Sequence, residues 1–420
     1  MSGLTPPRLK NDCFALPPGV DWTPVDEALA RLRERLHPLV ESETCATSAA
    51  LGRILAQDAV ARRSNPPAAN SAVDGYGFRH ADTGTGDQKL PFAPGRAAAG
   101  APFTGTVPPG HAIRILTGAL LPEGVDTVVL EEDCATDDTH VAFESPVKPG
   151  ANTRKAGEDV AAGAVALPAG TRLGPPEIAL LAATGVTQVT TARTLRVGVL
   201  STGDEIVESG ATSDPARTYD ANRPMLLSLL KDWRFDAIDL GHSEDNRDTL
   251  KTRLDEAASR VDVILTSGGA SAGDEDHVSA LLGETGSRAD WRIALKPGRP
   301  LALGVWNGCP VFGLPGNPVA ALVCTMIFAR PALGLMAGEG WKTPATFTVP
   351  AAFEKQKKPG RREYLRARLT VDGKAEVFPS EGSGRISGLA WADGLVEIED
   401  GARHIRPGDP VRYIPYASFR

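Results

Sequence analysis

Apolar residues Val25, Leu29, Leu32 and Leu36 recur at helical spacing, which predicts a helix over 23–37. Thr23 stands where a cap belongs, Pro24 suits the first position, Asp26 sits where a capping-box acid would, and Pro38 follows the end. From 61 to 150 the pattern changes. Short β-like runs at 112–116, 127–130 and 140–143 lie between Pro-Gly pairs at 94–95, 109–110 and 149–150, as in a small β-rich module. A helix returns at 176–184, with Pro175 and Pro176 at its start and Gly185 after it. Between 193 and 335, four short apolar runs (195–200, 237–241, 261–266, 310–315) alternate with helical stretches near 222–232, 246–259, 276–283 and 318–329. Such alternation predicts a parallel sheet with helices on both faces. The tail, 345–415, alternates as in YLRARLTV, and Asp-Gly pairs at 372–373 and 393–394 read as hairpin turns of a small β domain.

The pattern gives a multidomain α/β protein. A central parallel-sheet α/β domain spans 193–338, and a small C-terminal β domain spans 339–420. The β-rich module at 61–150 is inserted into a discontinuous helical linker domain, 15–60 and 151–192, whose pieces pack together across it. The longest apolar run, about 319–329, is too short to cross a bilayer and reads as a core helix. The opening MSGLTPPRLKND shows no signal-peptide pattern, so the expected location is the cytoplasm, with no membrane partner.

Length and composition narrow the class. A chain of 420 residues exceeds what one core usually covers, and 42% apolar with 23% charged residues suits folded domains. A net charge of -7 disfavours a nucleic-acid partner. It leaves room for small anions held by a local basic loop and by backbone N–H groups. The five cysteines (Cys13, Cys45, Cys134, Cys309, Cys324) are odd in number, far apart and without a CxxC, which argues against a disulfide framework or structural zinc.

In an open parallel sheet, ligands bind beyond the carboxyl ends of the strands. Four loops therefore share one edge. They carry Ser201-Thr202-Gly203-Asp204-Glu205, His242-Ser243-Glu244-Asp245, the run Ser267 to Asp276 (SGGASAGDED), and Gly316-Asn317-Pro318. Small residues let backbone N–H groups reach an anion, and the carboxylates that follow suit a hard cation such as Mg²⁺, so the loops together describe a phosphate-plus-metal site. Asp245 and Asp276 each precede a helix, so an N-cap reading stands beside the ligand one. Lys296 and Arg299 flank a Pro-Gly turn, where both suit oxyanions; two solvated surface bases are the plainer alternative.

Seven strings, NSAVDGYGF, ILTGALLPEGVDTVVLEED, AGEDV, RVGVLSTGDEIVE, LTSGGASAGDEDHV, WRIALKPGRPLALG and GLPGNPVAA, occur in order from about residue 20 to the C-terminus. Together they resemble the molybdopterin molybdenumtransferase family (MoeA), related to the E domain of gephyrin. The resemblance implies a homodimeric transferase of molybdenum cofactor biosynthesis. It would bind adenylated molybdopterin and molybdate, cleave the adenylate with Mg²⁺, release AMP and leave molybdenum on the dithiolene. It implies molybdopterin adenylyltransferase and molybdoenzyme acceptors as further partners.

By resemblance, Asp74 and Thr117 would be the β module's contribution to the cleft and, across a dimer, would complete the partner's site, and Asp159 would be a further cleft carboxylate. Glu205 would act in catalysis or in Mg²⁺ handling. Asp204, Glu205, Asp245 and Asp276 are the metal candidates. Asp245 and Asp276 are also substrate candidates, and Gly268, Gly269, Ser271, Gly316 and Asn317 line the molybdopterin pocket. Lys296 and Arg299 face the molybdate dianion, with Arg361, Arg366 and Ser383 of GRREYLR and EGSGRIS at the molybdate or phosphate edge. The sequence departs from the family pattern at Val73 (often Met), at Arg292 and Arg299 (usually Lys), and at Ala68-Ala69 (commonly Phe-Asp). A fork-shaped Arg donor alters molybdate geometry, and the Ala pair removes whatever the Phe-Asp side chains touch. Three other readings compete. An adenylyltransferase would need neither the β module nor the tail. A non-catalytic molybdopterin-binding scaffold or carrier need not keep Glu205, Asp245, Asp276 and Lys296 together. A general nucleotide-binding module would not prefer a pterin over ATP.

Overall fold

A computed structural model describes residues 22–268, 277–284, 289–298, 300–382 and 384–420. The chain divides into two compact units. One is formed by 42–191, the other by the segment up to Glu41 together with 192–420.

In the larger unit, the strands Asp236–Ser243, Arg196–Thr202, Val263–Ser267 and Cys309–Leu314 lie side by side in that order, all parallel. Both faces are covered, which is why Val263–Ser267 is buried at every position and reads as an unbroken apolar run. Leu200, Ile264 and Val311 pack against Leu250 and Leu254 of the helix Arg247–Arg260 and Leu281 of the helix His277–Glu284. The helix Asn222–Asp232 packs on the first two strands and on the helix Pro318–Cys324. Beyond the parallel core, Pro300–Trp306 and Ala289–Arg292 extend the sheet antiparallel. The sequence reading missed these two strands, although Asn307-Gly308, both at positive φ, is a hairpin turn in plain view.

Two expectations at the ends of this unit change. The first helix, Val25–Arg35, has no side-chain cap. Asp26 is drawn instead to the Arg362 guanidinium at 2.7 and 2.8 Å, and the Thr23 carbonyl accepts the Ala294 N–H at 2.8 Å. The apolar run near 319–329 belongs to a longer helical stretch, Pro318–Met336, of 19 residues. Its mean hydropathy of 1.9 and its length would suffice to cross a bilayer, but 94% of its apolar window is buried inside the protein. Arg330 is tolerated there because it donates to the Phe419 carbonyl at 2.6 Å and to Glu339 at 3.2 Å.

The C-terminal part is a sheet ordered Leu295–Lys296, Arg362–Leu369, Gly394–Ile398, Pro410–Pro415 and Phe347–Pro350. Its core gathers Leu365, Ala367, Val396, Ile398, Val411 and Tyr413. Asp372-Gly373 makes the expected hairpin, joining Arg362–Leu369 to Ala375–Val377. Asp393-Gly394 does not. Gly394 opens a strand, and the Asp393 carboxylate accepts the Tyr413 hydroxyl.

The smaller unit holds a six-stranded sheet ordered Thr127–Leu130, Gly75–Phe78, Ala112–Ile115, Gly86–Ala97, His140–Ser145 and Cys134–Thr136. Pro94-Gly95, expected as a turn, lies within the strand Gly86–Ala97, where its pairing with Ala112–Ile115 slips register. The flanking segments pair with each other through strands, Ser42–Ala46 with Gln188–Ala192 and Ala59–Val60 with Val165–Leu167. Leu55, Leu173, Leu181 and Val189 form their core around one helix, Pro175–Ala183. Glu177 starts that helix by accepting the Gly174 N–H at 2.9 Å.

Candidate functional site

The strand ends of the parallel sheet bring the acidic loops together. After Arg196–Thr202 the chain turns at Gly203, whose carbonyl meets the His242 ring at 2.7 Å. Arg217 donates to the Asp204 carbonyl. The Asp245 N–H donates to the Asp204 carboxylate at 2.9 Å, tying two candidate loops directly. Asp245 does not cap the following helix. Asn246 does, accepting the Asp248 and Thr249 N–H groups at 3.1 and 3.0 Å. Burial, then the negative charge of Asp204, then that of Glu205 push the Asp245 carboxyl above its usual range. Arg223 braces the segment that follows Asp204 and Glu205, where Ile206–Val207 and Thr218–Tyr219 pair in parallel, reaching Glu208 at 3.2 Å, Asp220 at 3.2 Å and Asp239 at 2.9 Å.

The small-residue loops sit beside this cluster. Gly268 has a φ of +100°, and a Cβ there would stand 2.7 Å from the Thr202 carbonyl oxygen, so the position admits only glycine. Asn222 donates to the Ser267 hydroxyl and to the Gly316 carbonyl, both at 2.7 Å, which locks two loops to one buried side chain. The Ser201, Thr202 and Thr266 hydroxyls and the Asn222 Oδ1 are buried without a hydrogen-bond partner among the described residues. Buried polar atoms seldom stay unpaired, so these groups at the strand ends suit a polar ligand or ordered water. Asn317 caps the helix Pro318–Cys324, accepting the Val319 N–H at 3.1 Å and the Ala320 N–H at 3.4 Å. Gly269, Ser271, Asp276, Arg299 and Ser383 lie outside the described residues.

Among the described residues, no three acid, histidine or cysteine side chains already converge as a metal site. The donor chemistry nevertheless fits a hard cation. Three carboxylates on two adjoining loops repel one another, and Asp245 carries the consequence.

A second group lines a cavity of about 300 Å³ between the helix at Val319 and the C-terminal sheet. Lys296 reaches Glu381 at 2.7 Å and Glu363 at 3.5 Å, and Lys355 reaches Glu363 at 3.0 Å and Glu381. Arg366, expected at the anion edge, is buried and gives its guanidinium to the carbonyls of Arg385 and Ser380 at 2.5 Å and of Gly382 at 3.2 Å. It orders the loop after Phe378, over whose ring it also lies. Arg361 lies 5.9 Å from the Trp22 ring centre.

In the smaller unit, Asp74 and Thr117 meet. Asp74 Oδ1 accepts both the Thr117 N–H and its hydroxyl at 2.6 Å. These two donors hold its carboxyl below the usual value, with the Arg114 charge adding to them. Asp159 sits apart on Asn65, whose amide donates to it at 2.9 Å.

Sequence reasoning missed Asn222, Lys355, Glu363 and Glu381, and named His242 only as part of its loop. Asn222 opens a helix and looks like an ordinary cap. The four-charge group is scattered over 85 residues and leaves no local pattern.

Comparison with known proteins agrees with this architecture. Three family descriptions match in order: the MoeA N-terminal region (domains I and II) over 23–185, a probable molybdopterin binding domain over 198–334, and the MoeA C-terminal region (domain IV) over 348–416. Molybdopterin molybdenumtransferase of Haemophilus influenzae is 34% identical over 93% of this chain and 98% of its own length. Gephyrin of Dictyostelium discoideum is 30% identical over 94% of this chain and 62% of its own. A crystal structure of the molybdopterin biosynthesis MoeA protein of Pyrococcus horikoshii superimposes with a TM-score of 0.82 at 27% identity, covering 94% of this chain and all of that one. The chain belongs to the MoeA family of molybdopterin molybdenumtransferases.

Proposed function

We propose that the protein is a cytoplasmic, homodimeric transferase that inserts molybdate into adenylated molybdopterin, cleaving the adenylate in a Mg²⁺-dependent step and releasing AMP. Family membership supports the reaction class. The observation that carries the site is the crowded carboxylate edge, Asp204, Glu205 and Asp245, beside unpaired buried hydroxyls at the strand ends.

The residues divide the work as follows. Gly268 and Gly316, with Gly269, Ser271 and Asn317, receive the pterin and its phosphates, because small residues leave backbone donors within reach. Asp204, Glu205 and Asp245, with Asp276, would hold Mg²⁺. Mg²⁺ would offset the pyrophosphate charge and polarise the phosphoryl oxygen under attack. Glu205, exposed like Asp204 but without a side-chain hydrogen bond to another described residue, orients the attacking oxygen or takes its proton. Lys296 and Arg299, with Arg361 and Ser383, hold the molybdate dianion, and Arg366 serves them by ordering the loop. Asp74, Thr117 and Asp159, on the smaller unit, are further catalytic candidates. An adenylyltransferase supplies the substrate and molybdoenzymes take the product.

Reconstitution of an apo-molybdoenzyme tests this reading. Purified protein, adenylated molybdopterin, molybdate and Mg²⁺ together should restore its activity. Tight pterin binding with no restored activity would make the protein a carrier or scaffold instead.

A further inference from the structure

Lys296, Lys355, Glu363 and Glu381 form one ion-pair network at and beside the C-terminal cavity, and the four charges are not equivalent. Lys355 and Glu363 have side chains only 10% exposed, and Glu363 is fixed in the strand Arg362–Leu369. Glu381 is 46% exposed and sits on the loop that follows Phe378. Its two oxygens are divided between the two ammonium groups, Oε2 to Lys296 and Oε1 to Lys355. A two-oxygen bridge across two lysines is the contact an oxyanion would make. Burial works against the charge of Lys355, yet the Glu381 and Glu363 carboxylates outweigh it and hold the ammonium charged. Arg366 pins the loop carbonyls at Ser380 and Gly382 on either side, so the Glu381 side chain can swing out while the loop backbone stays.

Resting on the proposed molybdate-inserting reading, we propose that Lys355 is a second anion-holding residue beside Lys296, and that the Glu381 carboxylate occupies this two-lysine seat until a tetrahedral dianion displaces it. With Glu381 in place the group is neutral, two ammoniums against two carboxylates. With Glu381 swung out, Glu363 alone opposes the two lysines, so this group gains one net positive charge beside a cavity of about 300 Å³; Arg366 and Glu354 also line the cavity, the first donating to three carbonyls and the second paired with His404. Glu381 is thus an internal competitor that sets how much free molybdate is needed.

The test is molybdate binding to the full-length protein by calorimetry, with no pterin and no Mg²⁺ present, so that it reads the seat and not the reaction. Glu381→Gln keeps the shape and removes the competing charge. It should bind molybdate about tenfold more tightly, the size of one charge-assisted contact. Lys355→Gln should bind about tenfold more weakly, and Lys355→Arg should recover most of the loss. Because Lys355→Gln leaves Glu363 short of a partner, its melting temperature is read alongside; the exposed Glu381→Gln carries the conclusion if that variant unfolds. Unchanged or weaker binding in Glu381→Gln, or no binding in either protein, overturns the proposal even if the enzyme restores molybdoenzyme activity. Tighter binding in Glu381→Gln with no such activity leaves the seat standing and removes the reaction.

Discussion

Two aspartates show opposite electrostatic settings for a carboxylate. Asp74, in the smaller unit, is met by two Thr117 donors, and its carboxyl titrates below the usual 3.8. Asp245, on the parallel-sheet edge, faces burial and two like charges, and its carboxyl titrates above it. The first is electrostatically complete as it stands. The second is a charge in want of a proton or a cation, and such displaced groups concentrate where chemistry is done.

The largest expected effect comes from removing the charge beside Asp245. Glu205→Gln should leave the fold intact and cut turnover by about 100-fold or more, as loss of a proton-handling or cation-handling group does. Wild-type rates in that variant would take Glu205 out of the mechanism. Gly268→Ala should destabilise the protein by about 2 kcal/mol, since it forces a Cβ against the Thr202 carbonyl at an unfavourable φ. Denaturant unfolding reads this, and a neutral result would mean that the strand end yields more easily than its geometry suggests.

Asp245→Asn tests the comparison itself. A carboxyl raised in the folded state contributes stability that is present below 3.8 and lost as pH rises through its raised value. Without Mg²⁺ at neutral pH, Asp245→Asn should therefore melt no lower than wild type. Mg²⁺ should raise the wild-type melting temperature by about 2 °C and raise the variant's less. Equal shifts would separate Asp245 from the cation. The smallest effect is at the other aspartate. Thr117→Val should move the Asp74 carboxyl back toward 3.8 in a carbon-detected NMR titration, and an unmoved midpoint would mean that Thr117 is not its stabiliser. Because the folded value is depressed, the Asp74 contribution is present above 3.8 and lost as pH falls through that depressed value.

The parts legible in the sequence were those with a local signal. The four parallel strands are short buried runs, and the loops after them carry Gly, Ser and acid in consecutive positions, so sheet edge and carboxylates were read together. Asp74 and Thr117 were both named from motifs 43 residues apart, but not that one would hold the other. The losses have physical reasons. Asp26 looked like a cap and went to Arg362, because a guanidinium offers a carboxylate more than a backbone N–H does. Arg366, named as an anion ligand, lines the cavity beside Lys296 and also donates to three carbonyls, a use no local pattern announces. Lys355 and Glu381 come near Lys296 only through tertiary packing, which no spacing rule reports.

AMP release from adenylated molybdopterin, followed in a single turnover with and without molybdate and Mg²⁺, tests the carboxylate edge most directly. The account predicts fast release only when both are present, and loss of the Mg²⁺ requirement's effect in Glu205→Gln through loss of the reaction itself. Release that proceeds equally without Mg²⁺ would contradict it.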